Sequence, residues 1–385
     1  MSVAQTPGFS VGGHTKYRFT STTFPADSLF RDLAGSSAED VGLDGRLNLG
    51  WRAAGWEVLA HAQLGAFDGD TVAFTRGFGD EHRALLPRLP GDEQRWLDLT
   101  HVMTDKGERA AVARLDRASF GYTGRDGAVR FGRQAITWGN GLIFNTVMDI
   151  FNPFDPAAID KEYKSGDDLL YGQYLRGNGD DLQGVIVVRR APSSGQLEAD
   201  RSSFAAKYRG LVGDAEYDLL IARHFADTLA GGGASRGIGG ALWRGDLLVT
   251  HTRTGDTVVS AVTSLSHSFS WAGRSLSAVA EYYFNGFGQR DARYGPADLA
   301  ANRGLAERLS RGELFSLGRH YLGLSALIEI TPLWALTPNL FANLGDPSAL
   351  VQIAARADLG DNMRLPGAAS VPVGEPGTEY GGLDT

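Results

Sequence analysis

The side chains best placed to do chemistry in this chain are charges at alternating positions. Lys16, Arg18, Arg46, Arg117, Arg130, Lys207, Arg209, Arg319 and Arg356 fall in the polar phase of alternating segments, as do Asp44, Glu57, Glu216, Asp218, Glu281, Glu329 and Asp358. Residues two apart share one face of a strand, so such rows carry fixed charges to a common surface. Fixed charges along a passage select ions by their field rather than by making bonds. The two signs nearly balance, which suits a general or weakly selective passage better than a conduit for a polyanion, whose wall should be strongly basic. Bond-making chemistry has less behind it. His14, His61, His224 and the serines between 260 and 270 are the residue types of a base and a nucleophile. No Gly-x-Ser-x-Gly elbow or His-Glu-x-x-His helix accompanies them, so no enzyme is expected. The chain has no cysteine, which removes thiolate nucleophiles, disulfides and thiolate metal sites. No cluster has metal-ligand spacing, and neither metal nor cofactor is expected.

The elements that must position these charges are strands. Phe9, Val11, Tyr17 and Phe19 share one phase, with Ser10, His14, Lys16, Arg18 and Thr20 in the other. Leu43, Leu47, Leu49 and Trp51 alternate with Asp44, Arg46 and Asn48, and Trp56, Val58, Ala60, Ala62 and Leu64 with Glu57, His61 and Gln63. Similar rows follow at Phe204 to Arg209, Glu216 to Ile221, Val259 to Trp271, Leu276 to Phe284 and Val351 to Leu359. A single alternating segment would equally fit a soluble sandwich. A long series of such segments with Trp, Tyr or Phe at the row ends instead fits a barrel that turns its apolar phase to lipid and its polar phase to a lumen. The expected fold is therefore an all-β, antiparallel up-and-down transmembrane barrel, residues 1–385 forming one domain. About 14 to 16 strands are countable, and a bacterial single-chain barrel should have an even number. The uncertainty lies at Gly237 to Arg253, which reads as one long strand or as two meeting at Arg244-Gly245-Asp246.

Composition agrees. Hydrophobic residues are 43%, charged residues 21% and mean hydropathy −0.18, and no apolar run approaches the roughly 18 residues of a spanning helix. Glycine, at 51 of 385, is about twice its usual share of roughly 7%. The net charge of −8 argues against nucleic acid as a partner. The start Met1-Ser2-Val3-Ala4-Gln5 has neither a basic nor an apolar leader region, so the expected form is an exported protein without its signal peptide.

Connections fall into two classes. Those at Arg52 to Gly55, Gly124 to Gly127 and Gly213-Asp214 are very short, while 68–110, 138–169 and 287–312 are long and polar. Short periplasmic turns and long extracellular loops are the asymmetry of outer-membrane barrels. The hairpin Arg117 to Tyr122 and Val129 to Gln134 leads into Trp138-Gly139-Asn140-Gly141 and Asp149-Ile150-Phe151-Asn152-Pro153-Phe154-Asp155. This series, with Glu281 to Gly288 and Asn343-Leu344-Gly345-Asp346-Pro347-Ser348, resembles proteobacterial outer-membrane porin-like barrels, a broad group that includes alginate-export-type proteins. The resemblance implies a pore in the outer membrane and names no cargo. Barrels of that group usually close on an aromatic residue, whereas residues 374–385 end in Glu379-Tyr380-Gly381-Gly382-Leu383-Asp384-Thr385. Either they form a tail beyond the last strand or the closing signal is missing.

The loop 138–169 holds Asp149, Asp155, Asp160, Lys161 and Glu162, and follows a strand whose inward phase carries Arg130 and Gln134. Folded inward, it would narrow the pore and set a field across it; as an ordinary surface loop it would do neither. Arg133 shares its phase with Val129 and Phe131, which would aim a guanidinium at lipid at a cost of roughly 2–4 kcal/mol at the midplane. A bulge at Gly132 would turn it into the pore; an interfacial position would let it snorkel. The functional expectation is passive diffusion of small hydrophilic or anionic solutes. The alternatives are a plugged barrel acting as a scaffold and an exporter of an anionic polymer. Expected partners are outer-membrane lipid, lipopolysaccharide and small solutes. Homo-oligomerisation is left open, since no flat apolar stripe marks a contact face.

Overall fold

The computed structural model describes residues 8–24, 31, 35–76, 89–144, 147–151, 153–159 and 163–382. They form one sheet of 18 strands. In chain order these are β1 (Gly8–Thr23), β2 (Ser37–Ala53), β3 (Trp56–Gly69), β4 (Thr100–Lys106), β5 (Arg109–Thr123), β6 (Gly127–Gln134), β7 (Asp167–Leu175), β8 (Asp181–Val187) and β9 (Ser203–Val212). There follow β10 (Ala215–His224), β11 (Asp227–Ile238), β12 (Ala241–His251), β13 (Thr257–Trp271), β14 (Arg274–Phe284), β15 (His320–Thr331), β16 (Trp334–Asn343), β17 (Ser348–Gly360) and β18 (Met363–Val373). Each pairs antiparallel with its successor, with one exception: β3 pairs directly with β5, and β4 lies on the opposite edge of β5. There β4 and β6 share one lane, β4 beside Arg109 to Arg114 and β6 beside Ala118 to Thr123.

The apolar phase of these strands is the exposed one. Phe9 is 66% exposed, and Tyr17, Leu47, Trp51, Trp56, Ile221, Phe269 and Trp271 are exposed with it, while Arg46, Lys207, Asp218, Asp246 and Glu281 are buried. Apolar surface on this scale has no place in water. It matches a lipid-facing wall with aromatic residues near the strand ends.

The strands exceed the expected 14 to 16 for identifiable reasons. Thr100–Lys106, inside the connection 68–110, is a strand of its own. The segment 237–253 contains a turn, but at Gly239-Gly240, whose φ angles of 55° and 85° favour glycine. Arg244-Gly245-Asp246 is the middle of β12, not a turn.

All turns at one end are short: 54–55, 124–126, 176–180, 213–214, 239–240, 272–273, 332–333 and 361–362. The long connections 70–108, 135–166, 188–202 and 285–319 all lie at the other end, as in outer-membrane barrels. The connection 285–319 holds two short helices, Pro296–Ala301 and Arg303–Ser310. After β18 the chain turns back at this long-loop end and docks a one-turn helix, Glu379–Gly382, through Glu379 onto Leu317, Tyr321 and Asn343.

Candidate functional site: the lumen and its inward loop

The connection 135–166 leaves the wall and enters the sheet's interior. Gly139, at φ 94°, makes a bend that other residues rarely adopt. On either side of it Trp138, Phe144, Val147, Met148, Ile150 and Phe151 join one buried cluster with Leu169, Leu220, Leu248, Val262, Tyr283, Tyr321, Phe341 and Leu350. Those wall residues come from β7, β10 and β12 to β17. The same connection reaches β1 and β2, since Tyr163 stacks on His14 at 6.1 Å and lies 4.2 Å beneath the Arg46 guanidinium. One loop touching strands so far apart in the sheet requires the sheet to curl around it. Phe144 sits against Gly323 of β15, where any Cβ would come within 3.0 Å of its ring.

Buried carboxylates hold the loop by its backbone. Glu281 of β14, 1% exposed, accepts the N–H groups of Leu142 (2.6 Å), Ile143 (3.1 Å) and Phe144 (2.7 Å). Asp246 of β12 accepts the Asn140 backbone N–H at 2.6 Å and its side-chain amide at 2.7 Å, and Asp218 of β10 accepts that amide at 3.3 Å. Lys207 pairs with Asp218 at 2.9 Å. On β8, Gln183 accepts the Trp138 indole N–H at 2.6 Å, and on β17 Gln352 donates to the Ala157 carbonyl at 3.1 Å. Within the loop Lys164 pairs with Asp149, and burial pulls its ammonium down to about 8.

The sector from β1 to β6 is built differently. Here carboxylates meet guanidinium groups. Asp116 accepts from Arg46 at 2.7 Å and from Arg117 at 2.9 Å, and Arg114 donates to Gln63 at 2.7 Å, which in turn donates to Asp44. His14 lies 3.3 Å from Asp44, and Lys16 stands opposite Asp44 in register. Arg18 lies beside Gly42. Arg130 approaches Glu57 at 3.9 Å, and Glu57 also pairs with Arg52. Among the described residues basic groups outnumber carboxylates on this face, and the loop touches it through Tyr163 and the Lys164 carbonyl, which accepts from Arg117 at 2.7 Å. The near balance of charge in the sequence is thus a segregation by sector.

The remaining sequence candidates are placed as follows. Arg209 pairs with Asp218 and Glu216 at the short-turn end of β9. Arg356 neighbours Asp358 at 3.7 Å, and Glu329 is exposed beside a register shift near the end of β15. Arg319 is not on a strand; it donates to the Gly288 carbonyl within the connection 285–319. Gln134 is buried, donating to the Leu169 carbonyl. Asp155 caps a turn by accepting from Ala157. Asp160, Lys161 and Glu162 lie outside the described residues. Arg133 does not turn into the lumen. Pairing runs unbroken from Phe120–Phe131 through Ser119–Gly132 to Ala118–Arg133, so there is no bulge at Gly132. Arg133, 2% exposed, is instead covered by the connection before β4. Its guanidinium binds Asp92 at 2.9 Å, Asp168 at 2.8 Å and the Leu97 carbonyl at 2.6 Å. These contacts fasten to the wall the segment that fills the lane vacated where β6 turns inward.

Among the histidines, His224 bonds Ser203 at 2.8 Å, not the serines of β13, and Glu313 at 3.1 Å. Ser203 is 3% exposed and also accepts from Arg189 at 2.7 Å. Asp246, Asp116 and Asn140 are functional candidates absent from the sequence selection. Alternation with Leu247 and Val249 would have placed Asp246 inward; Asp116 is displaced by a register shift opposite His61 and Ala62, which no alternation shows.

No protein-family model matches the sequence and no curated protein matches it. Solved structures do. Wzi, an outer membrane protein involved in group 1 capsule assembly in Escherichia coli and described as a carbohydrate-binding β-barrel, superposes with a TM-score of 0.50 at 10% identity, over 95% of this chain and 80% of its own. A BenF-like porin from Pseudomonas fluorescens Pf-5 gives 0.51 at 11% identity, over 95% and 93%. At such identities the likeness is one of fold. The chain has the porin-like outer-membrane β-barrel fold.

Proposed function

We propose that the protein is an outer-membrane channel through which small hydrophilic solutes diffuse passively, with anions favoured over cations of the same size. The observation that carries this is the unequal commitment of charge in the lumen. The carboxylates of Asp218, Asp246 and Glu281 are consumed by the inward loop. Among the described residues the loop reaches the sector of Lys16, Arg18, Arg114, Arg117 and Arg130 through Tyr163 and Lys164, and a passage on that side would run beside basic groups. In a confined, partly desolvated passage such groups raise local anion concentration. The exposed apolar rows fit outer-membrane lipid, with lipopolysaccharide against the long-loop end.

Osmotic swelling of liposomes holding the purified protein tests this. Small sugar acids should enter faster than amines of equal size, and entry should fall steeply with solute size. Equal rates for both signs would remove the anion preference, and no swelling would remove the channel. One observation favours a plugged scaffold instead: the loop's aromatic side chains pack against apolar wall residues on β7, β10 and β12 to β17. The same measurement separates the two.

A further inference from the structure

A second polar site lies away from the lumen's basic sector, where five connections at the long-loop end meet the ends of β7 and β10. Gln94 and Arg95, Ile150 and Pro153, Asp167, Arg189, His224 and Phe225, and Arg311 to Glu313 surround a cavity of about 110 Å³. This is well above the roughly 10–15 Å³ that one water needs, and enough for a small tetrahedral oxyanion.

The lining is cationic and incompletely paired. Arg95, Arg189 and Arg311 line the cavity together with Asp167 and Glu313. Arg95 is held by Asp92 at 2.9 Å, and Arg189 by Asp167 and Ser203 at 2.5 and 2.7 Å. Arg311 donates through Nη2 to Glu307 at 3.2 Å, but its Nη1, buried, has no hydrogen-bond acceptor among the described residues; the nearest carboxylate oxygen, on Glu313, is 3.7 Å away. A buried guanidinium N–H without an acceptor is unfavourable, because it has given up its bond to water for nothing. Phe225 and Ala226 make the two-residue turn at the cavity with φ of 48° and 68°, a conformation unfavourable for a bulky residue. The Phe225 ring is held there by the Arg189 and Arg311 guanidinium groups, 4.5 and 4.1 Å from its centre. Strain and an orphaned donor thus meet at one cavity, and both arginines are fixed in position before any ligand arrives.

We propose that this cavity binds a small oxyanion, a phosphate or carboxylate group, that accepts from Arg311 Nη1 and is flanked by Arg189 and Arg95. A planar guanidinium fork suits such oxygens better than a lysine would. Because Ile150 and Pro153 belong to the inward loop while Arg311 and Glu313 belong to the connection 285–319, the anion ties the two together at the mouth. The site does not depend on whether the lumen conducts.

The test is thermal unfolding and isothermal titration of the full chain, folded in detergent micelles, with inorganic phosphate against chloride at constant ionic strength. Phosphate should raise the melting temperature saturably and release measurable heat. Arg311→Gln should weaken phosphate binding about tenfold or more, and Arg293→Gln, an exposed residue of the same connection near Asp291, should not. If Arg311→Gln does not fold, Arg311→Lys keeps the charge but not the fork and should still weaken binding. Short-chain phosphatidic acid in place of phosphate distinguishes sources: tighter binding of the lipid assigns the site to a headgroup, and equal or weaker binding to a free anion. A phosphate response no larger than that of chloride, or one unchanged in the folded Arg311 variant, overturns the proposal.

Discussion

Two sectors of one lumen use carboxylates in opposite ways. From β10 to β14, Asp218, Asp246 and Glu281 accept hydrogen bonds from the backbone and an amide of the inward loop. From β1 to β6, Asp44, Asp116 and Glu57 sit among arginines, glutamine and histidine on the wall itself. The first arrangement fixes a piece of chain inside the barrel. The second leaves side chains on the wall, where in the proposed channel their charge would act on a passing solute. A carboxylate's role in such a lumen is therefore set by its partner, a distinction invisible in its phase along the strand.

Four experiments break or sharpen the contrast. The largest effect is expected from Glu281→Ala, which strips the acceptor from three loop N–H groups at a cost of about 3–5 kcal/mol. Limited proteolysis should then cut within 139–151 and channel current should become larger and noisier. Next, Gly323→Val places a side chain where Ile143 and Phe144 now sit. Overpacking there costs about 1–3 kcal/mol, and the loop should shift with a smaller version of the same signature. In the other sector, Arg18→Gln with Arg130→Gln, both exposed side chains, should leave the loop resistant to protease, change stability by about 1 kcal/mol or less, and move the reversal potential in a salt gradient toward cation preference. A loop that loosened in this variant would erase the difference between sectors.

The smallest effect belongs to the C-terminal segment. Burial raises the Glu379 carboxyl to about 7, against the hydrogen bonds it accepts from Leu317, Tyr321 and Asn343. Because the docked form holds its proton more tightly, docking is fully favoured below the ordinary carboxyl range and weakens as pH rises through about 7. Amide exchange at 379–382, corrected for intrinsic rates, should be slower at pH 5 than at pH 8. Glu379→Gln should flatten that difference, and a wild-type protein more protected at pH 8 would contradict the assignment.

Much of this was legible in the residues. Tyr17 and Phe19 against Lys16 and Arg18, or Leu219 and Ile221 against Asp218, state which phase faces which medium because strand side chains alternate strictly. The glycine-rich stretch Ala230 to Gly233 of β11 has no such contrast, so alternation does not locate the turn at Gly239-Gly240, and Thr100–Lys106 is a strand hidden inside a long connection. Arg133 was legible as a problem but not as a solution, since Asp92, which neutralises it, is remote in sequence and arrives only when the chain before β4 folds over the wall. The inward loop announced itself through Trp138 to Gly141 and Asp149. Its anchors did not, because Asn140, Asp246 and Glu281 converge from three separate parts of the chain.

The most direct test of the central claim is single-channel recording in a planar bilayer under a potassium chloride gradient, with insertion verified independently. The account predicts discrete openings whose reversal potential has the sign of anion preference. Folded, inserted protein that passes no current, or passes cations preferentially, would contradict it.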